Sequence, residues 1–339
     1  MSDGVNVVIA GATGAVGEAL REILEERKFP VAELTLLASE RSEGKRLQFR
    51  GKSVRVQRLD QFDFSGTSIG LFSAGGELSA DYAPKAAAAG CIVIDNTSQF
   101  RTDADIPLVV PEVNGQRLDD PNPRNIIANP NCSTIQMVVA LKPIHDVAEI
   151  RRINVATYQA VSGAGSSGIR ELAGQTANLL NAKPIEPEVM SQQIAFNAIP
   201  QIGKFLDNGY THEEMKMVWE TQKILEDDSI LVNPTCVRIP VFFGHSEAVH
   251  IETERKITAD EVRELLADAP GVQLMDDPAD NVYPTAVGDG AGSDAVFVGR
   301  IREDLSHPTG ISLWVVSDNV RKGAALNSVQ IAEMLVSKR

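Results

Sequence analysis

Cys132 stands where a thiol could act as a nucleophile. It lies in Asn129-Pro-Asn-Cys-Ser-Thr134, between the apolar run 125–128 and the periodic apolar segment 135–141. This order predicts a short strand that turns into a helix, because Pro130 stops a strand and Asn, Ser and Thr favour helix starts. The positive end of a helix dipole lowers the pKa of a thiol and raises its thiolate fraction. The alternative is a small buried hydrophobic residue near a helix start.

A cysteine nucleophile needs a base, and His245 is the candidate among five histidines. It follows an apolar segment and Gly244, which suits an imidazole at a sheet edge. Arg238 stands seven residues earlier. This odd separation puts the two side chains on opposite faces of a regular strand, so a shared site requires a bend at Pro240 or Gly244. The alternative is that His245 is a surface histidine whose hydrogen bonds are all made and which has no catalytic role.

A glycine-rich loop near the N-terminus points to a nucleotide. Residues 11–17, Gly-Ala-Thr-Gly-Ala-Val-Gly, follow the apolar run 5–10 and precede the helical pattern 18–27. Strand, glycine loop and helix in this order are the context of dinucleotide binding. Glycines let the backbone approach a pyrophosphate, and the helix N-terminus favours its charge. A glycine-rich turn without a ligand is the alternative.

The end of the second predicted strand, 34–38, bears on the choice of coenzyme. Ser39, Arg41 and Ser42 follow it and could hold a 2′-phosphate, for which arginine is the better partner. An acidic residue at this position binds the ribose 2′-hydroxyl in NAD-selective folds, so the presence of Glu40 leaves NAD as a possible coenzyme. We expect NADP.

The elements around these residues are typical of an α/β fold in the first half. Strands are predicted at 69–72 and 92–94, with a helix at 80–89 between them. The loop 73–76 directly follows a strand, at the sheet edge where ligands bind. Arg101 lies just past the next strand, either as a solvated charge or as an anion clamp.

In the second half, several strands follow one another without alternating helices, which indicates an α+β domain. We predict a half-exposed strand at 153–158 and antiparallel strands at 231–243, 248–251, 295–301 and 311–316. Helices are predicted at 168–180, 213–226 and 323–336. The long loops are expected at 181–198 and 271–294. His145 is expected past the end of the helix that starts near residue 132, facing solvent.

Composition bounds the classes of function. The length of 339 residues predicts two domains. The net charge of 32 − 46 = −14 argues against a surface that binds nucleic acid or an anionic membrane. Residues 1–4 lack a basic signal-peptide region, and no apolar run approaches the roughly 20 residues of a membrane span. The three cysteines are widely spaced, as in reduced cytoplasmic proteins without a metal site.

Two stretches, 129–134 and 236–246, together resemble aspartate-semialdehyde dehydrogenase, and the similarity covers nearly the whole chain. Further segments match in family order: 11–17, 100–101, 110–114, 158–160, 162–165 and 323–327. The resemblance implies a Rossmann-type NADP-binding domain, 1–130 joined by 318–339. It implies an α+β catalytic and dimerisation domain at 131–317, hence a homodimer or higher homo-oligomer.

The implied reaction interconverts L-aspartate 4-semialdehyde plus phosphate with L-4-aspartyl phosphate, in lysine, methionine and threonine (diaminopimelate) biosynthesis. Cys132 would form a thiohemiacetal that loses hydride to NADP and becomes a thioester, which phosphate then attacks. His245 would serve as the acid/base at the hemiacetal oxygen.

The resemblance also assigns individual residues. Around the acyl group and the substrate it places Gln159, Asn131, Arg238 for the carboxylate, Glu213 for the amino group, and Arg101 and Lys216 for phosphate. Around the coenzyme it places Gly11, Thr13, Gly14, Ala15, Val16, Ser39, Arg41, Ser42, Ala74 and Gly75, with Ser162, Gly163 and Asn319 on the nicotinamide side.

Two rivals remain. An N-acetyl-glutamyl-phosphate reductase shares the architecture and a Cys/His pair, but an acetylated substrate has no ammonium for Glu213. A non-catalytic NADP-binding paralogue has no need of Cys132, His245, Arg238 and Arg101 together.

Overall fold

Two sheets organise the chain, one in each of two structural units. In the computed structural model, which describes residues 4–338, the units are Met1–Pro130 with Ala324–Arg339, and Asn131–Gly323. The return to the first unit therefore lies at 324 and not at 318. Residues 318–323 belong with the second unit, where Asn319 bonds Ser162 and Gly244.

The first unit is a doubly wound sheet with the spatial order β3-β4-β2-β1-β5-β6-β7, parallel except for the β3–β4 pair. Its strands are β1 (Val5–Ala10), β2 (Val31–Ala38), β3 (Arg46–Phe49), β4 (Lys52–Arg58), β5 (Ile69–Phe72), β6 (Ile92–Asp95) and β7 (Ile126–Ala128). Its helices are α1 (Ala15–Glu26), α2 (Gly76–Ala88), α3 (Pro111–Asn114) and, at the C-terminus, α8 (Leu326–Ser337).

The predicted elements of this unit are present, together with three that the sequence analysis did not predict, namely β3, β4 and the short helix α3. Strand β1 is buried at five of its six positions, as expected for a sheet covered on both faces. The sequence analysis missed β3 and β4, whose alternating apolar residues (Leu47 and Phe49, Val54 and Val56) give a weaker signal than the apolar runs of the central strands. In α8, Asn327 donates to Val109 O (3.0 Å) and to Asn129 Oδ1 (2.7 Å), which ties the terminal helix to the first unit.

The second unit is a mixed sheet with the order β11-β12-β13-β10-β8-β9. Its strands are β8 (Ile150–Gln159), β9 (Leu231–Arg238), β10 (His245–Thr253), β11 (Val272–Leu274), β12 (Val296–Glu303) and β13 (Gly310–Ser317). Its helices are α4 (Cys132–Ala148), α5 (Gly165–Leu180), α6 (His212–Leu225) and α7 (Ala259–Ala267).

Strand β9 differs from the prediction. It ends at Arg238 instead of continuing to 243, and it pairs with β8 in parallel. Pro240 cannot donate to a sheet ladder, and Gly244 has a φ of +88°, so the chain turns before β10 begins at His245. The bend that Arg238 and His245 require is therefore a loop between two strands.

Two further expectations in this unit were wrong. Helix α4 runs to Ala148, so half-buried His145 lies inside its last turn, where its Nδ1 accepts from the Ile150 N–H (3.1 Å). The segment 271–294 contains β11 and a π-helical turn at Ala286–Gly290. The loop at 181–198 carries no helix or strand, as predicted.

Across residues 4–338, no helix has the length and apolar character that crossing a membrane requires.

Candidate active site

Cys132 is the first residue of α4, a helix of 17 residues. Asn131 caps this helix, since its Oδ1 accepts from the N–H groups of Ser133 (3.1 Å) and Thr134 (3.3 Å). The local prediction of a thiol at a helix N-terminus is confirmed. The dipole at this position favours the thiolate over the thiol.

Helix α6 presents two buried carboxylates to Asn131. The Asn131 side chain donates to Glu213 Oε1 (2.8 Å), and its backbone N–H donates to Glu220 Oε2 (2.5 Å). The sequence analysis missed Glu220. Its spacing of seven residues from Glu213 on a predicted helix is the signal that places both on one face.

His245 Nε2 lies 3.3 Å from Cys132 Sγ, and the imidazole is completely buried. Burial lowers the pKa of His245, the Arg238 guanidinium lowers it further, and Glu213 only partly opposes them, which brings it to about 3. The ring is therefore neutral near neutral pH.

The tautomer of His245 follows from its other nitrogen. The backbone N–H of Ala160 donates to Nδ1 (3.0 Å), so the neutral ring carries its hydrogen on Nε2. Gln159 Nε2 also lies 3.4 Å from His245 Nε2, but two N–H groups cannot bond each other. The Gln159 amide instead donates to Glu213. The imidazole therefore directs an N–H toward Cys132 Sγ.

Gln159 is held in one orientation by its neighbours. Thr157 Oγ1 donates to Gln159 Oε1 (3.0 Å), which leaves Nε2 to donate to Glu213 Oε1 (3.3 Å). The amide thus lies between the Cys–His pair and a carboxylate, fully within the second unit.

Glu213 is a buried carboxylate that stays ionised. Burial alone raises its pKa, but the Lys216 ammonium at 3.0 Å and donors from Asn131 and Gln159 outweigh burial and lower it to about 2. Such a buried, ionised group can pair with a substrate cation.

Arg238 supplies the opposite charge. It ends β9, is buried, and donates from Nη1 to Ala160 O (2.6 Å). A Cβ on Gly163 would lie 2.9 Å from Arg238 Nη1 and 3.6 Å from His245, so a larger residue here would displace the guanidinium. Burial lowers the pKa of Arg238 from its usual value, yet arginine stays protonated in proteins.

The residues expected on the nicotinamide side are also connected. Asn319 Nδ2 donates to Ser162 Oγ (2.9 Å), and Asn319 Oδ1 accepts from the Gly244 N–H (3.0 Å). The second unit thus gathers ten of the predicted site residues: Asn131, Cys132, Gln159, Ser162, Gly163, Glu213, Lys216, Arg238, His245 and Asn319.

The first unit has a cavity of about 420 Å³ at the carboxyl ends of β1, β2 and β5. Predicted residues in its wall are Gly11, Thr13, Gly14, Ser39 and Ala74, and further wall residues include Glu40, Arg58, Asp60, Leu78 and Tyr82. Gly11 has a φ of +88°, and a Cβ there would lie 2.7 Å from Ser73 O. This cradle fits the phosphates of a dinucleotide, which need close contact with backbone.

Five other predicted coenzyme residues of the first unit do not line this cavity. They are Ala15 and Val16 at the start of α1, exposed Arg41, buried Ser42, whose Oγ lies 3.4 Å from Thr13 Oγ1, and Gly75 at the N-cap of α2. Their contacts with a coenzyme stay predictions.

Arg101 is buried in the first unit, where its Nη2 donates to Asn96 O (2.9 Å). Its predicted role with Lys216 at phosphate stays a prediction. Within residues 4–338, no cluster of three or more His, Cys, Asp or Glu side chains could hold a metal ion.

Known proteins resemble the chain over its whole length. Residues 6–120 match the family described as "Semialdehyde dehydrogenase, NAD binding domain", and residues 141–322 match "Semialdehyde dehydrogenase, dimerisation domain". Aspartate-semialdehyde dehydrogenase 2 of Vibrio cholerae is 66% identical over 99% of each chain. The Bacillus subtilis aspartate-semialdehyde dehydrogenase is 53% identical, over 99% of this chain and 98% of its own.

A solved structure agrees with the sequence relatives. The crystal structure of aspartate semialdehyde dehydrogenase II from Vibrio cholerae, complexed with ASA, superimposes with a TM-score of 0.97 at 64% identity and covers 99% of each chain. The chain therefore belongs to the aspartate-semialdehyde dehydrogenase family.

Proposed function

We propose that the protein interconverts L-aspartate 4-semialdehyde plus phosphate with L-4-aspartyl phosphate, using NADP and a thioester on Cys132. The observation that carries this proposal is the 3.3 Å approach of Cys132 Sγ to His245 Nε2 at the N-terminus of α4, beside buried charges of both signs. A thiol suits the reaction because it is both a nucleophile and a good leaving group.

The buried charges match a zwitterionic substrate. Glu213 would pair with the substrate ammonium and Arg238 with its carboxylate, as a bidentate pair. A buried charge is stabilised only by well-placed partners, so a ligand with two opposite charges suits this pair of residues. The Vibrio cholerae relative solved with ASA supports this choice of substrate.

The first step joins sulfur to carbon. The Cys132 thiolate attacks the aldehyde carbon, an S–C bond forms, and the carbonyl electron pair moves to oxygen. The Nε2–H of His245 can donate to that oxygen as its charge develops, in the manner of an oxyanion hole. Gln159 and Asn131 would orient the acyl group near Cys132.

The thioester forms and breaks at the same sulfur. Bound NADP supplies the hydride acceptor, in a pocket that would include Ser162, Gly163 and Asn319. Phosphate, held by Arg101 and Lys216, then attacks the thioester carbon, the C–S bond breaks, and Cys132 leaves as the thiolate.

His245 can act here without taking a proton. An acid/base role through Nε2 requires the ring hydrogen on Nδ1, where it would oppose the N–H of Ala160. The neutral Nε2–H tautomer therefore favours a role for His245 as a hydrogen-bond donor, and the acid/base role is the alternative. The overall reaction is the same with either role.

The wider setting follows from the same family. We propose a cytoplasmic homodimer in lysine, methionine and threonine biosynthesis through diaminopimelate. The match of 141–322 to a dimerisation domain supports self-association. The partly exposed rings of Tyr158 and Trp314, 5.4 Å apart on the sheet of the second unit, are side chains that an interface would cover.

A coupled assay tests the proposal. NADPH formation should require both phosphate and L-aspartate 4-semialdehyde, and should be much slower with N-acetyl-L-glutamate 5-semialdehyde. Preference for the acetylated substrate would assign the rival reductase, and no turnover with either substrate and either coenzyme would assign a non-catalytic paralogue.

A further inference from the structure

Arg58 stands beside the end of the second strand of the nucleotide fold. It is the last residue of β4 and pairs in register with Ala38, the last residue of β2. Its side chain lines the 420 Å³ cavity together with Ser39 and Glu40. In dinucleotide-binding sheets the adenosine ribose lies at this strand end, so Arg58 stands where a 2′-substituent would be.

Two carboxylates hold Arg58 in different ways. Asp60 accepts from Nε (3.0 Å) and Nη2 (2.7 Å), a bidentate bond that fixes the plane of the guanidinium. Glu40 makes one bond, from Nη1 (2.9 Å), and its side chain is 76% exposed. Of the two partners, Glu40 is the one that can leave at small cost, because exposed single ion pairs contribute little.

The same two side chains offer opposite partners to a ribose. A 2′-phosphate is repelled by Glu40 and attracted by Arg58, whereas a 2′-hydroxyl can donate to Glu40. A phosphate oxygen can replace the Glu40 carboxylate on Nη1 while Asp60 keeps the guanidinium in place. The bond to Glu40 thus occupies, in the free protein, the donor that a 2′-phosphate needs.

We propose that Arg58 binds the 2′-phosphate of NADP by exchanging its bond to Glu40, and that Glu40 serves as the acceptor for the 2′-hydroxyl of NAD. This inference rests on the proposed use of the cavity for a nicotinamide dinucleotide. It makes the Glu40–Arg58 pair a determinant of coenzyme choice, in addition to Ser39, Arg41 and Ser42.

Binding measurements test this without turnover. Calorimetric titration of the full chain with NADP⁺, NAD⁺, adenosine 2′,5′-bisphosphate and 5′-AMP separates the 2′-phosphate from the nicotinamide. Arg58→Met should weaken NADP⁺ and the bisphosphate about tenfold or more, as expected for a lost charge-assisted bond, and change NAD⁺ and 5′-AMP about twofold at most.

Matched variants control for charge and folding. Arg55→Met removes an exposed arginine from the same strand and should leave all four affinities unchanged. Arg58→Lys keeps the charge but loses the bidentate bond to Asp60, so an intermediate loss of the bisphosphate is expected even if Arg58→Met folds poorly.

Glu40→Gln gives the opposite sign. Removal of the competing charge should tighten NADP⁺ about threefold and weaken NAD⁺ about threefold, in line with an exposed ion pair. In the Arg58→Met background, Glu40→Gln should tighten NADP⁺ less than it does in the wild type. The Arg58 donor is then absent, so the substitution only removes the repulsion between Glu40 and the 2′-phosphate.

The outcomes separate the two proposals. If the wild type prefers NADP⁺ and Arg58→Met keeps that preference, Arg58 does not bind the 2′-phosphate and the proposed function stands. If the wild type binds 5′-AMP more tightly than the bisphosphate, both the NADP assignment and the role of Arg58 are wrong. Equal losses for NADP⁺ and NAD⁺ in Arg58→Met also contradict the proposal.

Discussion

The two candidate sites hold their charges in opposite ways. In the second unit, Glu213, Arg238 and His245 are buried and bonded to neighbouring backbone or side chains. In the cavity of the first unit, Glu40 and Asp60 keep 76% and 47% of their side-chain surface exposed, and Arg58 keeps 21%.

This difference suits the buried site to catalysis and the exposed cavity to the choice of coenzyme. Buried groups have shifted pKa values and fixed positions, which is what stabilising a developing charge requires. Exposed ion pairs contribute little and exchange readily, which suits a choice between two similar coenzymes. Substitutions in the buried site should therefore change rates by large factors, and those around the cavity should change affinities by small, selective ones.

Cys132→Ala should have the largest effect. It removes the attacking atom, so turnover should fall by about 10⁴-fold or more. The affinity for NADP⁺ should change less than about twofold, because the cavity of the first unit keeps all its residues.

Cys91→Ala is the matched control. Burial raises the pKa of the Cys91 thiol to about 12, so that residue is no nucleophile, and its variant should keep near-wild-type turnover. Stopped-flow and calorimetric measurements check both variants. Turnover surviving in Cys132→Ala would remove this thiol from the mechanism.

Glu213→Gln should lower kcat/KM by about 10²-fold, the effect of breaking a buried charge pair. The amide cannot pair with a substrate ammonium, and it leaves Lys216 beside an uncharged group. Glu254→Gln, at an exposed carboxylate bonded to Arg151, controls for the loss of one negative charge and should be near neutral. A loss in Glu213→Gln smaller than about threefold would contradict an ammonium contact, since three-fold is within the effect of a surface charge.

The pH dependence of stability tests the neutral state of His245. Its folded pKa of about 3 lies below the ordinary value of 6.5, so between these values the unfolded chain binds a proton that the native chain does not. Stability should therefore fall as pH is lowered through this window, by up to about 1.4 kcal/mol per pH unit from this group.

His245→Gln should flatten that part of the profile, measured by urea unfolding at pH 7, 5.5 and 4.5. His145→Gln, which removes an imidazole elsewhere in the same unit, is the matched control variant. Nitrogen-15 spectra of the wild type at pH 7 should show a protonated Nε2 and an unprotonated Nδ1. A protonated Nδ1 would restore the acid/base role.

Much of the fold was predictable because its signals are local. The strand, glycine loop and helix at 5–26 and the helix start at Cys132 are set by adjacent residues, and both are present. Strands β3 and β4 were missed because each carries only two apolar residues, a weaker signal than the apolar runs of the central strands.

The site was predictable in its residues more than in its bonds. Family motifs named Cys132 and His245, but the tautomer depends on the Ala160 N–H, 85 positions from His245. The bond from Arg58 to Glu40 likewise joins two strand ends that only sheet pairing brings together. Such contacts depend on register, which the amino-acid pattern alone leaves open.

Arg41→Ala should have the smallest effect and sharpens the contrast within the cavity region. Arg41 is exposed and lies outside the cavity wall, whereas Arg58 lies in it, so loss of Arg41 should weaken NADP⁺ only about threefold and NAD⁺ hardly at all. The same calorimetric titration measures both. An equal loss for both coenzymes would show that Arg41 does not read the 2′-phosphate. A loss for NADP⁺ larger than that of Arg58→Met would make Arg41 the principal ligand of the 2′-phosphate and Arg58 a secondary one.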